Sequence, residues 1–128
     1  MNLPEVYLNR MKGQLGEEFS AYMKAMDQPE KRAARANGMK LSPEALAALR
    51  PDFFPAGGPG FLLPEGFAPG KDPLHAAGAY YVQELSAQMP VSLLELTPGM
   101  AVLDLCAAPG GKSSQLAARV PGGVLFAN

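Results

Sequence analysis

Apolar residues recur at helical spacing in the first part of the chain. Leu8, Met11 and Leu15 form one set; Phe19, Tyr22, Met23 and Met26 form a second after Gly16. The spacing predicts two helical segments over residues 4–26, with the Met and aromatic stripe packed as core. Glu17 and Glu18 suit the start of the second helix, where negative charge meets the positive end of the helix dipole. Gln28-Pro29-Glu30 breaks the pattern, and the looser alternation over residues 32–41 makes a candidate strand. Ser42-Pro43 then opens a short helix, with serine as N-cap and proline at the first helical position. Ala45, Leu46 and Leu49 supply its apolar face and Pro51 ends it.

Residues 51–73 are crowded with Pro and Gly, but Phe53, Phe54, Phe61, Leu62, Leu63 and Phe67 are interleaved with them. That mixture predicts a packed loop with one or two short strands, for instance around Phe61 to Leu63, rather than a linker. Aromatics exposed there could stack on RNA bases, although packing is the plainer role. Ser86 to Leu96 reads as largely helical, with Met89, Leu93, Leu94 and Leu96 turned inward. Pro90 fits that helix only in its first turn; elsewhere it kinks it. Thr97-Pro98-Gly99 is a turn.

Ala101 to Leu105 is apolar except for Asp104, which predicts a short strand buried on both faces with a carboxylate near its C-terminal end. A helix follows from about Lys112 to Arg119, with Leu116 and Val120 four apart on one face. Pro121-Gly122-Gly123 stops it, and Val124 to Ala127 reads as a second strand. Residues 101–128 thus have the length of a βαβ unit, with parallel strands and a right-handed crossover. In open parallel sheets the ligand sits outside the carboxyl ends of the strands, which here is the loop from Cys106 to Lys112. Its small side chains let the backbone approach a ligand closely. The N–H groups opening the next helix can meet an anionic group.

Composition narrows the picture. A hydrophobic content of 48% is that of a folded chain, long enough for one domain or for a small domain and part of another. The net charge of −1 gives no global pull on nucleic acid, so any phosphate contact must be local. Lys31, Arg32, Arg35 and Lys40 are the local candidate. One cysteine excludes an internal disulfide and suits a reducing compartment. With the lone His75 it makes no metal cluster. The start, Met1 to Glu5, has no secretory signal pattern, and no apolar run is long enough to span a bilayer. The expectation is a soluble, cytoplasmic protein without metal.

Three ligand classes compete for the 106–112 loop. A phosphate-binding P-loop requires G-x-x-x-x-G-K-[ST]; Gly111-Lys112-Ser113 fits its end, but Cys106 stands where the first glycine belongs. A dinucleotide fingerprint requires G-x-G-x-x-G, which residues 106–111 do not supply. S-adenosylmethionine sites use a strand ending in Asp and then small residues at alternate positions. Cys106, Ala108 and Gly110 stand at that spacing after Asp104.

The nine residues Asp-Leu-Cys-Ala-Ala-Pro-Gly-Gly-Lys, 104–112, resemble the first cofactor motif of the Sun/RsmF family of RNA cytosine-5 methyltransferases. Gly78-Ala-Tyr-Tyr-Val-Gln-Glu-Leu-Ser-Ala87 is similar to the segment preceding the cofactor strand in that family, with Leu85 where many relatives have proline. Its Gln83, Glu84 and Ser86 are candidates equally for helix capping and for ligand contact. Leu3-Pro4, Arg10-Met11, Leu15 to Phe19 and Arg35-Ala36-Asn37 resemble the RsmF-type N-terminal domain. The likeness is weakest over 50–73. It departs from R-x-N-T-x-K at Gly38-Met39-Lys40.

The resemblance implies an α/β fold: the start of a Rossmann-like class I methyltransferase sheet, preceded by a small α+β N-terminal domain. It places that N-terminal domain at residues 1–75 and the incomplete S-adenosylmethionine-binding domain at 76–128. Cys106, Ala107, Ala108, Pro109, Gly110, Gly111 and Lys112 would hold S-adenosyl-L-methionine, mainly through backbone. Lys112 is the one charged member, suited to the cofactor carboxylate or an RNA phosphate. The partner would be RNA, specifically ribosomal RNA. In this chemistry a cysteine thiolate adds to cytosine C6 so that C5 can take the methyl group. A base then removes the C5 proton and the thiolate leaves. By the resemblance Cys106 is not that thiolate, and the mechanistic cysteines and the ribose-holding acid lie beyond Asn128. No catalytic residue is therefore expected in these residues. The reading from another class is a non-catalytic RNA-binding fragment that uses the basic 31–40 stretch.

Overall fold

The computed structural model describes residues 3–29 and 31–128. Glu30, part of the expected break after the second helix, lies outside them, as do Met1 and Asn2. The chain divides into two compact units, Met1–Glu30 and Lys31–Asn128.

The first unit holds α1 (Glu5–Leu15) and α2 (Phe19–Met26), joined by a 3₁₀ turn over Gly16–Glu18. Both helices lie where the apolar spacing places them. The stripe, however, is not a closed core. Leu8, Met11, Leu15, Phe19, Tyr22, Met23 and Met26 are half-buried, and neither helix has a fully buried residue. Two short helices cover one another along a single face and cannot enclose it. The hydroxyls of Tyr7 and Tyr22 meet across the pair.

The second unit is built on an antiparallel sheet of four short strands. They are β1 (Ala33–Ala36), β2 (Phe54–Pro55), β3 (Gly60–Leu62) and β4 (Tyr80–Val82), in the order β2-β3-β1-β4. Between β1 and β2 runs α3 (Pro43–Leu49), with the Ser42 hydroxyl accepting from the Ala45 amide as the Ser-Pro start predicts. Central β1 is buried along its whole length. Ala34 and Ala36 pack with Leu46, Phe53, Phe61, Leu63 and Tyr80 in the core. The turn-rich stretch is thus a packed element, as its aromatics require. Phe53 meets Phe67 and Tyr80 edge-on at 5.2 and 5.4 Å. The Arg50 guanidinium lies 4.5 Å from the centres of both the Phe53 and Phe67 rings. Arg50 also pairs with Asp72, which accepts from the Tyr80 hydroxyl at 2.7 Å and caps α4 (Pro73–Ala76) through the Leu74 amide. Burial and the Asp72 carboxylate together push the Tyr80 phenol upward from its ordinary range.

After β4 comes α5 (Leu85–Ser92), shorter than the predicted 86–96 helix and differently faced. Gln88 and Val91 are its buried residues, whereas Met89, Leu93 and Leu94 are exposed. Hydrogen bonds set that face. The Gln88 side-chain amide donates to the carbonyls of Gln83 and Ala34, and the Gln88 backbone carbonyl accepts from the Gln115 side chain. Pro90 lies inside the helix, past its first turn, and the helix closes two residues later.

The βαβ unit forms as predicted: β5 (Ala101–Asp104), α6 (Gly111–Arg119) and β6 (Val124–Ala127), with β5 and β6 parallel. Leu116 and Val120 are buried on one side of α6. The expected two-sided burial of β5 is not observed. Leu103 is 60% exposed, as is Phe126, its partner in register. Among the described residues β5 pairs only with β6, so one edge and part of its apolar surface stay open.

Gly123 permits the turn into β6. A Cβ there would overlap the carbonyl oxygen of Met100 and crowd that of Val120. Gly123→Ala is expected to destabilise the unit by about 1–3 kcal/mol and to speed amide exchange in Val124–Ala127 more than in β1, as hydrogen-exchange mass spectrometry would show.

Candidate cofactor site

The candidate loop is organised by the acid that precedes it. At the end of β5, Asp104 accepts from the Cys106 amide at 3.2 Å and from the Ser113 hydroxyl at 2.7 Å. One carboxylate therefore pins the beginning of the loop and the first turn of α6 together. Asn128 closes the other side: its amide donates to the Asp104 carbonyl, and its carbonyl accepts from the Ala107 amide. Gly110 is the N-cap of α6 at φ +102°, a conformation that side chains disfavour. A glycine cap supplies no side-chain oxygen, so the amides opening α6 have no side-chain cap and are available to a ligand.

The facing wall comes from β4 and α5. The Tyr81 hydroxyl donates to the Pro109 carbonyl at 3.2 Å. Gly111 lies so close to β4 that a Cβ would come 3.3 Å from the Tyr81 ring and 3.4 Å from the Gln83 amide. Tyr81, Val82, Gln83 and Ala87 line one side of a cleft of about 230 Å³. Cys106, Ala107, Ala108, Pro109, Gly111 and Lys112 line the other, so six of the seven candidate residues meet around it. The seventh, Gly110, supplies the cap rather than the lining. Cys106 is an exposed free thiol.

The three polar residues of the 78–87 segment separate. Ser86 donates to the Glu84 carboxylate in solvent. Gln83 is buried in the cleft wall; it donates to the Ala87 carbonyl and accepts from Arg35. Arg35 is the site residue that sequence reasoning missed. It stands in the basic 31–40 stretch, yet it is 1% exposed. Its Nη2 donates to the Gly111 carbonyl and to the Ser114 hydroxyl. Burial lowers its pKa, with partial compensation from Tyr81. The one sequence signal was its place in a strand otherwise made of alanines, at 33, 34 and 36. Lys31, Arg32 and Lys40 of the basic stretch stay exposed. Arg32 donates to the Phe67 carbonyl and Lys40 to the Ala77 carbonyl.

A family model described as the N-terminal domain of 16S rRNA methyltransferase RsmF matches residues 3–85. The chain belongs to the RsmF family. The 26S rRNA (cytosine-C(5))-methyltransferase nsun-1 of Caenorhabditis elegans is 37% identical over 88% of this chain. Ribosomal RNA small subunit methyltransferase F of an Enterobacter species (strain 638) is 32% identical over 98% of it. The chain spans 18% of the worm protein's length and 29% of the bacterial one's. The crystal structure of a methyltransferase homolog protein from Pyrococcus horikoshii superposes with a TM-score of 0.79. The two are 32% identical, and the match covers 98% of this chain and 44% of that one. The α/β fold read from the sequence is therefore that of RsmF-family methyltransferases. Among the described residues no three of His, Cys, Asp and Glu converge as metal ligands, and no helix is long and apolar enough to cross a membrane.

Gly110→Ala is expected to cost about 1–3 kcal/mol through backbone strain at positive φ. Denaturant unfolding would measure it, and the variant should show the loss without any change in the slope m.

Proposed function

We propose that this chain is the N-terminal part of a methyltransferase that transfers the methyl group of S-adenosyl-L-methionine to cytosine C5 in ribosomal RNA. The observation that carries the reading is the cleft in which the 106–112 loop faces Tyr81 and Gln83. Its donor set fits the cofactor. The residues are small, the space beside Gly110 is open, and the first-turn amides of α6 are uncapped for a carboxylate. Cys106, Ala107, Ala108, Pro109, Gly110, Gly111 and Lys112 would hold it, with the Lys112 ammonium toward the carboxylate. The cofactor would supply an electrophilic methyl group on sulfonium. These residues would bind and orient it; by the resemblance none of them activates the base. In the intact enzyme residues 1–75 would help position RNA, and residues 76–128 would open the cofactor domain. Further strands beside β5 would cover Leu103. The single free thiol suits a reducing compartment, which favours a cytoplasmic setting. A purely RNA-binding role would have to rest on Lys31, Arg32 and Lys40, since Arg35 is buried.

Calorimetry with S-adenosylmethionine provides the test. Residues 1–128 alone should bind weakly or not at all, and transfer no methyl group. The intact protein should bind at micromolar concentration and leave 5-methylcytosine in rRNA. Lys112→Ala should weaken its binding about tenfold, the range of a charge-assisted hydrogen bond. Micromolar binding to the 128 residues would refute the reading that their cofactor domain is incomplete, and a methyl group on ribose or on another base would refute the chemistry.

A further inference from the structure

A buried guanidinium normally meets a carboxylate. Arg35 does not: among the described residues it forms no ion pair, and its hydrogen bonds go to neutral acceptors. Nε donates to Gln83 Oε1 at 2.9 Å, and Nη1 to the Ala36 carbonyl at 3.4 Å. Nη2 donates to the Gly111 carbonyl at 3.2 Å and to Ser114 Oγ at 2.8 Å. Two of these acceptors belong to residues on opposite walls of the cleft, Gln83 on β4's side and Gly111 on the loop's side. The Ser114 hydroxyl in turn lies 3.1 Å from the Gly111 carbonyl, so the same carbonyl is held twice.

We propose that Arg35 is a positioning residue for the cofactor loop: its planar fork sets the separation of Gln83 and Gly111 and thereby the width of the cleft. The proposal rests on the cofactor reading of that cleft. Lysine cannot replace arginine here, because one ammonium cannot span the Gln83 oxygen and the α6 acceptors in a single plane. A fold-stabilising role alone would need burial at this position. It would not need donors directed at both walls.

The test uses Arg35→Lys, which keeps the charge, and Ser114→Ala, which removes an acceptor on α6 and leaves β1 untouched. Hydrogen exchange is read in the 106–114 segment and in β1 and β4. Both variants should exchange about tenfold faster in 106–114. In Ser114→Ala the sheet strands should keep their native rates, and the double variant should add little to either single one. In the intact methyltransferase both variants should raise the KM for S-adenosylmethionine and leave the KM for RNA unchanged. Native exchange of the loop in Ser114→Ala would overturn the proposal, as would equal acceleration of loop and sheet. If Arg35→Lys fails to fold, Gln83→Met takes its place: it removes the acceptor of Nε and leaves the Ser114–Gly111 contact intact, and native exchange of 106–114 in it would overturn the proposal. The exchange measurement needs no cofactor, so a protein that binds none would defeat the cofactor reading while Arg35 is still judged.

Discussion

Burying a guanidinium without a counter-ion costs several kcal/mol, and the structure around Arg35 is arranged to offset that cost with hydrogen bonds. The arrangement has wide consequences. β1, otherwise all alanine, is buried along its whole length around that side chain. Gln83 must turn its oxygen toward β1, which leaves its amide to bond the start of α5. The first turn of α6 must present a carbonyl and a hydroxyl inward. The antiparallel sheet and the parallel βαβ unit share no strand, and this one side chain is bonded to both.

A second constraint acts at the loop itself. Asp104 holds Cys106 and Ser113, while Gly111 packs against Tyr81 and Gln83 with no side chain between. The loop is thus fixed from below by a carboxylate and from the side by a glycine contact. Its remaining backbone is left facing a cleft. Such preorganisation lets main-chain groups meet a ligand with little ordering cost.

The apolar surface of β5 and β6 stands apart from this order. Leu103, Leu105, Val124 and Phe126 are all more than half exposed. Parallel strands are ordinarily covered on both faces. The chain's relatives are several times longer than the stretch it matches, which accords with a sheet continued by further strands.

Local chemistry made much of this legible in the residues alone. Helical spacing marked α1, α2 and α6; Ser42-Pro43 marked the start of α3; and the Asp104 to Lys112 string of small residues after an acid marked the loop. What depends on distant partners was hidden. Exposure of Met89 and burial of Gln88 follow from hydrogen bonds to β1 and α6, not from hydropathy. Arg35 reads as surface charge in one dimension. It becomes a buried clasp only when a strand 76 residues away from Gly111 is folded against it. Periodicity and turn chemistry act between near neighbours, so the chain order contains them. Burial and the second wall of a cleft are properties of surfaces brought together, and only the tertiary structure decides which surfaces those are.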